Sequence, residues 1–335
     1  MHQYTRQFPH GAMLVLGAAI AALPLASVPD ALAQGAWPNR PIRLVLPNAP
    51  GSSNDVLSRI VAARMSEALG QQMVLDNRAG AGGTLGVEIA ARATPDGYTL
   101  VAASSATHSI APFVYKRLPY DPVKDFTPVS LFVLTQNLLA VNPSVPAKSV
   151  AELIALARSR PGQLNMASAG NASTSHIAGA LFASLAGVNV VHVPYKGAGP
   201  SIASVVAGES QFVFTPIAGP IGQVRSGKLR ALAVGGRERT PILPDVPTAA
   251  ESGLPGYDFT GWNGFMGPAG MPRPVVDRLF VAMNKVLSSP ELREQFALQG
   301  AEPSISKTPE AFAAHVRDEV ARYGKLVRAA GIQAE

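Results

Sequence analysis

Residues 47–55 of the chain read PNAPGSSND. They lie between an apolar run, residues 42–46, and a stretch whose apolar residues recur at helical spacing. This pattern predicts a buried strand, a turn and a helix, in that order. Residues 52–55 are all favourable at the start of a helix. A turn that leads into a helix presents free backbone N–H groups and partial positive charge, which suit an anion. An ordinary strand-to-helix loop with a capped helix is the alternative interpretation.

The N-terminal segment predicts export. A short N-terminal region with the basic residue Arg6 precedes an apolar run at residues 12–26. Residues 31–33 (ALA) then have the small-x-small pattern of a cleavage site. The sequence therefore predicts a signal peptide over residues 1–33. A membrane-spanning helix is the alternative, but the apolar run is short, and Pro24 and Pro29 interrupt the segment.

The composition argues against several classes of protein. The sequence contains no cysteine, so it forms no disulfide. Its formal net charge is +6, but the basic residues are scattered and only 6% of the residues are aromatic, which argues against a nucleic-acid partner. A mild positive field of this kind favours small anions.

Predicted strands and helices alternate along the rest of the chain, which predicts a parallel α/β sheet with right-handed crossovers. Two apolar, extended segments within residues 129–141 lead from a first series into a second, and the chain crosses back near residues 229–235. This organisation predicts one lobe from residues 34–135 plus 236–335 and a second lobe from residues 136–235.

The motifs for catalysis, nucleotides and metals are incomplete. Residues 222–229 have the spacing of a Walker A motif, but Leu229 takes the place of the Mg²⁺-binding Ser or Thr. Residues 80–86 approach a dinucleotide fingerprint, but their last glycine stands one residue late. The serines near His176 lack a nucleophile elbow, and no histidine has metal-ligand spacing. The sequence therefore predicts no enzyme, no cofactor and no metal; an exported α/β hydrolase is the alternative.

Three polar loops each follow a predicted strand, at residues 52–55, 104–108 and 168–174. The first two fall in the first predicted lobe and the third falls in the second. In open α/β sheets, ligands bind at the carboxyl ends of the strands. Loops that are rich in hydroxyl and amide donors, with few charges, suit a small carboxylate.

A set of motifs runs in order along the predicted mature chain. The motifs are WPxRPI at residues 37–42, PxxPG at 47–51 with Asp55, NRxGAGG at 77–83, PDGYTL at 95–100, LPYDP at 118–122, VPYKG at 193–197, GKLRALA at 227–233 and LPDVPT at 243–248. In these motifs the chain resembles the extracytoplasmic solute receptors of the tripartite tricarboxylate transporters, also called the Bug receptors.

The resemblance implies a type II periplasmic binding protein fold, in which two α/β lobes are joined by two crossing segments. It also implies a monomeric periplasmic receptor that performs no chemistry and delivers a small organic carboxylate to membrane transporter subunits. A receptor that reports its ligand to a regulatory partner is an alternative that the sequence leaves open.

The polar loops and the resemblance together give the predicted ligand-binding residues. These are Gly51, Ser52, Ser53, Asn54, Asp55, Ser104, Thr107, His108, Ser168, Asn171, Ser173, Thr174, Tyr195 and Thr215. Asp55 has two candidate roles, as a ligand contact or as a helix cap. Because the chain has no acidic residue at Gln211 or Thr215, where the family commonly carries Asp, we expect ligands without an ammonium group.

Overall fold

The computed structural model describes residues 1–3, 5, 37–171, 173–329, 331, 332 and 334. Residues 37–335 form one compact unit. The predicted cleavage site and nearly all of the predicted signal peptide lie outside the described residues. Among the residues described, no helix is both long enough and apolar enough to cross a membrane.

Strands and helices alternate along this unit. The strands are β1 (Ile42–Leu46), β2 (Met73–Asn77), β3 (Thr99–Ser104), β4 (Phe126–Val141), β5 (Asn165–Ser168), β6 (Val191–Pro194), β7 (Phe212–Pro216), β8 (Arg230–Val234) and β9 (Thr260–Pro268). The helices are α1 (Ser53–Leu69), α2 (Thr84–Ala91), α3 (Ala111–Val114), α4 (Val150–Ser159), α5 (Thr174–Ala186), α6 (Ala198–Ala207), α7 (Ile221–Arg225), α8 (Arg273–Leu287), α9 (Pro290–Leu298) and α10 (Pro309–Ala329). A π-helical turn, Ser105–Ile110, follows β3.

The nine strands of the described chain form one mixed sheet in the order β2-β1-β3-β9-β4-β7-β5-β6, and β8 also pairs with β4. The β1 strand runs parallel to β2 and β3, and β5 runs parallel to β6 and β7. The pairs that β4 and β9 make are all antiparallel. The prediction of a parallel sheet is wrong for these pairs, because β4 and β9 carry the chain between the two series and are not joined to their neighbours by crossover helices.

The β4 strand is continuous where the sequence predicts two extended segments, and it belongs to both parts of the sheet. Its residues 126–136 pair with β9, whereas its residues 137–141 pair with β7. We call β1, β2, β3, β9 and the start of β4 the first half of the sheet. The end of β4 and strands β5 to β8 are the second half.

Alternate residues of each strand enter cores on opposite faces of the sheet, because side chains alternate along a strand. In the first half, Leu44 packs in the core that α1, α8 and α9 cover, and Val45 packs in the core that α2 and α10 cover. In the second half, Phe212 packs with α4 and α5, and Val213 packs with α6 and α7. Because helices cover both faces of the sheet, a ligand can reach the sheet only at the ends of the strands.

The last helix, α10, packs against both halves of the sheet. Phe312 and Val316 belong to a core of the first half, whereas Tyr323 and Val327 belong to a core of the second. These four residues lie on the apolar stripe that the sequence of this segment shows at helical spacing. The helix therefore spans the junction at which β4 changes its partners.

Gly264 provides a test of how closely α10 packs on the sheet. A Cβ atom at this position would collide with the ring of Phe312 and lie 2.8 Å from the carbonyl oxygen of Ser130. We expect Gly264→Ala to lower the free energy of unfolding by about 1–3 kcal/mol, the usual cost of overpacking. Urea denaturation followed by circular dichroism measures this.

Gly222 is the matched control. It lies in α7, and a Cβ atom there would meet nothing within 4 Å. Gly222→Ala should leave the stability unchanged or raise it by up to about 1 kcal/mol. Equal effects of the two substitutions would contradict the close packing of α10 on β9.

Candidate functional site

The loop between β1 and α1 forms the helix N-terminus that the sequence predicts. Ser52 is the N-cap, and its hydroxyl accepts a hydrogen bond from the Asp55 amide at 3.3 Å. Gly51 has a φ of +80°, a backbone conformation that glycine adopts without strain. Helix α1 begins at Ser53, so the first amides of the helix lack intrahelical acceptors.

The carboxylate of Asp55 is used within this loop. It accepts hydrogen bonds from the Gly51 amide at 2.9 Å, from Asn77 Nδ2 at 2.8 Å and from Arg59 Nη2 at 2.9 Å. Burial alone would raise the pKa of Asp55, but the hydrogen bonds from Arg59, Asn77 and Gly51 together lower it. Asp55 therefore stays ionised and holds the loop to α1 and to the end of β2.

Asn54 attaches the same loop to β3. Its Nδ2 donates to Asn48 Oδ1 at 2.9 Å and to the Ala102 carbonyl at 3.1 Å. Its Oδ1 accepts a hydrogen bond from the Ser58 hydroxyl. The side chain of Asn54 thus makes structural bonds that fix the helix N-terminus over the end of β3.

The loop after β3 is bonded within itself. Ser104 and Thr107 form a capping box, and Thr107 Oγ1 lies 2.9 Å from His108 Nδ1. His108 is fully buried beside Phe126 and Trp262, and its Nε2 has no partner. Burial lowers the pKa of His108 to about 3, so the imidazole is neutral and serves as a member of an aromatic cluster.

Several of the predicted residues of the second half make hydrogen bonds within the protein. Ser168 Oγ lies 2.6 Å from His192 Nε2, and the Tyr195 amide donates to the Ser168 carbonyl. Ser173 is the N-cap of α5, where its hydroxyl accepts from the His176 amide at 3.2 Å. Asn171 is exposed in this loop, and Thr174 is the first residue of the helix.

A cavity of about 560 Å³ lies at the junction of the two halves. Of the predicted ligand-binding residues, all of which the structure describes, only Ser53 lies in its wall. The polar and charged residues of the wall are Ser53, Thr135, Gln136, Arg237, Glu238, Thr240, Asp258, Thr260, Glu302, Ser304, His315, Glu319 and Arg322. The residues Leu57, Leu134, Pro216, Ile217, Ala218, Ile242, Gly300, Ala301 and Pro303 complete it.

Several buried polar atoms in and beside this cavity have no hydrogen-bond partner. Ser53 Oγ, Gln136 Oε1 and His315 Nε2 belong to wall residues. Thr215 Oγ1 and Asn137 Nδ2 are likewise unpaired, and both residues adjoin wall residues in the chain. Because buried polar atoms are nearly always hydrogen-bonded, this concentration marks a place where a bound molecule would supply the missing partners.

The charged groups of the wall are largely paired. Arg237 Nε lies 2.7 Å from Asp258, and Arg322 makes hydrogen bonds of 2.7 and 2.8 Å to the two carboxylate oxygens of Glu319. Arg322 also donates to the Thr260 carbonyl at 2.8 Å. The sequence analysis did not select these residues. Arg237 lies in the loop after β8, a segment interpreted as the return of the chain, and the others lie outside the three polar loops. The one signal was the spacing of His315, Glu319 and Arg322 along one face of α10.

The chain matches the "Tripartite tricarboxylate transporter family receptor" (TctC) over residues 57–332. It belongs to this family. The chain is 35% identical over 296 residues to Protein BugT of Bordetella pertussis, a match that covers 88% of this chain and 90% of that protein.

Solved structures of family members have the same fold. Rpa4515 of Rhodopseudomonas palustris with adipate is 36% identical, with a TM-score of 0.86 over 89% of this chain and 100% of that one. MatC of the same species with bound malate is 34% identical, with a TM-score of 0.81 over 87% of this chain and 100% of that one. The predicted family and the predicted fold class are both confirmed.

The bonds of Asp55 lead to a prediction about stability and pH. Asp55→Asn should lower the free energy of unfolding at neutral pH by about 1.5–3 kcal/mol, because it removes a charged acceptor from a buried network. The pKa of Asp55 is lowered in the folded protein, so its contribution is present above the ordinary carboxyl pKa and is lost as the pH falls through the folded value.

Urea denaturation of both proteins over a range of pH measures this difference. The gap between wild type and Asp55→Asn should close in acid. The exposed residue Asp245 supplies the control, and Asp245→Asn should leave the stability unchanged within about 0.5 kcal/mol. If the difference in the free energy of unfolding stays constant down to acid pH, the ionised carboxylate of Asp55 is not the source of the difference.

Proposed function

We propose that the protein is a periplasmic receptor that binds a small organic carboxylate in the junction cavity and delivers it to a tripartite tricarboxylate transporter. The observation that carries the proposal is Ser53. It is the first residue of α1, it lies in the cavity wall, and its buried hydroxyl has no partner. Relatives of known structure hold adipate and malate, which supports the same class of ligand here.

The N-terminus of α1 can contribute to the free energy of binding a carboxylate. It stabilises an anion by about 0.3–1 kcal/mol at exposed sites and up to about 2 kcal/mol when partly buried. Each hydrogen bond to a charged group adds about 1.5–3 kcal/mol. Three or four such contacts, after the costs of association, are consistent with binding in the micromolar range, about 8 kcal/mol.

The two halves of the sheet are proposed to act as two lobes that close on the ligand. The change of partners along β4 between residues 136 and 137, and the return of the chain after β8, support the division into residues 34–135 plus 236–335 and residues 136–235. In the proposal, the loop of Ser168, Asn171, Ser173 and Thr174, together with Tyr195, completes the site when the lobes close.

The acidic residues of the cavity bear on the selectivity of the proposed receptor. Asp258 and Glu319 lie in the wall, but each is paired with an arginine, and Asp55 is bonded within its own loop. The other two acids of the wall, Glu238 and Glu302, are exposed to solvent, so an ammonium group in the buried part of the cavity would have to break one of these pairs. The proposal therefore retains a carboxylate without an amino group as the preferred ligand.

The proposed receptor is a monomer that performs no chemistry and binds no nucleic acid. Delivery to transporter subunits rests on the family to which the chain belongs. A receptor that signals to a regulatory partner has the same ligand chemistry, and it would be distinguished by the protein that the ligand-bound form contacts.

Ser53→Pro tests the helix N-terminus. Proline is well tolerated at the first position of a helix, so the fold should persist, but the substitution removes both an amide donor and a hydroxyl. We expect calorimetry to show at least about tenfold weaker binding, a loss of about 1.4 kcal/mol or more. A thermal-shift screen of mono-, di- and tricarboxylates first identifies the ligand.

Ser53→Ala is the matched variant, because it keeps the amide and loses only the hydroxyl. Its affinity should lie between those of the wild type and Ser53→Pro. A folded Ser53→Pro protein with unchanged affinity would overturn the role of this helix N-terminus.

Closure of the lobes should be visible in solution. Small-angle X-ray scattering of the mature protein, with and without a saturating confirmed ligand, should give a smaller radius of gyration for the bound form. Identical scattering profiles would show that binding occurs without closure.

A further inference from the structure

Helix α10 presents three polar side chains to the junction cavity. His315, Glu319 and Arg322 are spaced four and three residues apart, so they lie along one face of the helix. All three are in the cavity wall, together with Ser53. The cavity therefore has a wall from the C-terminal segment in addition to the predicted loop at the start of α1.

His315 differs from its two neighbours on this face. Glu319 and Arg322 satisfy each other through two short hydrogen bonds. His315 has its ring 6.0 Å from that of Trp262, and its Nε2 is buried without a partner. A buried imidazole nitrogen in a cavity wall, with nothing to bond, is suited to a group that arrives with a ligand.

The charges around His315 come from its own helix and from the facing walls. Burial lowers the pKa of His315; Glu319 and Asp318 raise it, and Arg322 lowers it. Trp262 of β9 is uncharged, and the other charged residues of the cavity wall are Arg237, Glu238, Asp258 and Glu302. Burial is the largest of these influences, and it favours the neutral imidazole in the free protein.

We propose that His315 contacts the bound ligand, donating a hydrogen bond from Nε2 to an anionic oxygen, and that the ligand therefore enters together with a proton. This inference rests on the proposed carboxylate receptor function. A nearby anion stabilises the imidazolium form, so the pKa of His315 must be higher in the complex than in the free protein. Proton uptake on binding follows from that difference.

The affinity for the ligand is expected to fall as the pH rises. A group whose pKa rises on binding adds affinity that is fully present below its pKa in the free protein and is lost as the pH rises through its pKa in the complex. A rise of about one unit, at the low end of what an opposite charge causes, makes binding about tenfold tighter at the acid end of this range.

Isothermal titration calorimetry of the mature protein tests the inference, with adipate, malate and succinate as probes. Titrations near neutral pH in two buffers with different enthalpies of ionisation give the number of protons taken up. The wild type should take up a fraction of a proton, and its affinity should fall by about tenfold as the pH rises through the pKa values of His315 in the free protein and in the complex.

His315→Gln keeps a hydrogen-bond donor but cannot take up the proton. It should still bind the probe, without proton uptake and with a flat pH profile. Arg317→Gln is the matched control, because Arg317 is an exposed residue of the same helix and the substitution also removes a positive charge. The control should retain the proton uptake and the pH slope of the wild type.

The outcomes separate the two proposals. If none of the carboxylates binds to the wild type, the proposed function fails and this inference fails with it. If the wild type binds but takes up no proton, or if His315→Gln takes up as much as the wild type, His315 is not the group and the receptor function stands. Should His315→Gln not fold, the NMR titration of the His315 ring in the wild type decides, since the probe must raise its pKa.

Discussion

One strand, β4, forms backbone hydrogen bonds in both halves of the sheet and so joins them. Within its 16 residues, β4 pairs with β9 and then with β7 and β8. Unpaired backbone groups in a core are costly, so each part of β4 keeps its own set of neighbours. The junction cavity lies where the partners change, and Thr135 and Gln136 of the wall are the last residues of β4 to pair with β9.

The start of α1 shows how a carboxylate can be accommodated beside a proposed anion site. Asp55 is a fixed negative charge within the first turn of the helix, where a ligand anion is also expected. Its pairing with Arg59 and its hydrogen bonds to Asn77 and Gly51 compensate that charge. The acid therefore serves to hold the loop, and the hydroxyl of Ser53 is left facing the cavity.

The cavity combines two kinds of polar surface. The loop at α1 offers uncharged donors, whereas the wall from α10 and from the segments beside β8 and β9 offers two ion pairs, the exposed Glu238 and one unpaired imidazole nitrogen. The Arg322–Glu319 pair is largely buried and joined by two hydrogen bonds, so it is expected to reorganise little when a ligand arrives. Discrimination between ligands is then expected to depend on the unpaired atoms, Ser53 Oγ, Gln136 Oε1 and His315 Nε2.

The sequence by itself determined the local elements. The strand, turn and helix around residues 47–55 formed as predicted. These features depend on residues within a turn or two of one another, so periodicity and cap preferences reveal them. The ordered motifs along the mature chain determined the family for the same reason, since each motif is a local arrangement.

Tertiary structure decided the direction of β4 and β9, the bonds of Asp55 and the composition of the cavity wall. Asp55 and Asn77 are 22 residues apart, and Ser53 shares a cavity with His315 from the other end of the chain. A local sequence pattern does not predict which residues face each other across the junction of the two halves, because that depends on how the halves of the sheet pack. For the same reason Ser168 and Ser173, in a loop that is prominent in the sequence, donate hydrogen bonds to the Gly170 carbonyl of the same loop. Helix α10, which gave no loop signal, supplies part of the wall.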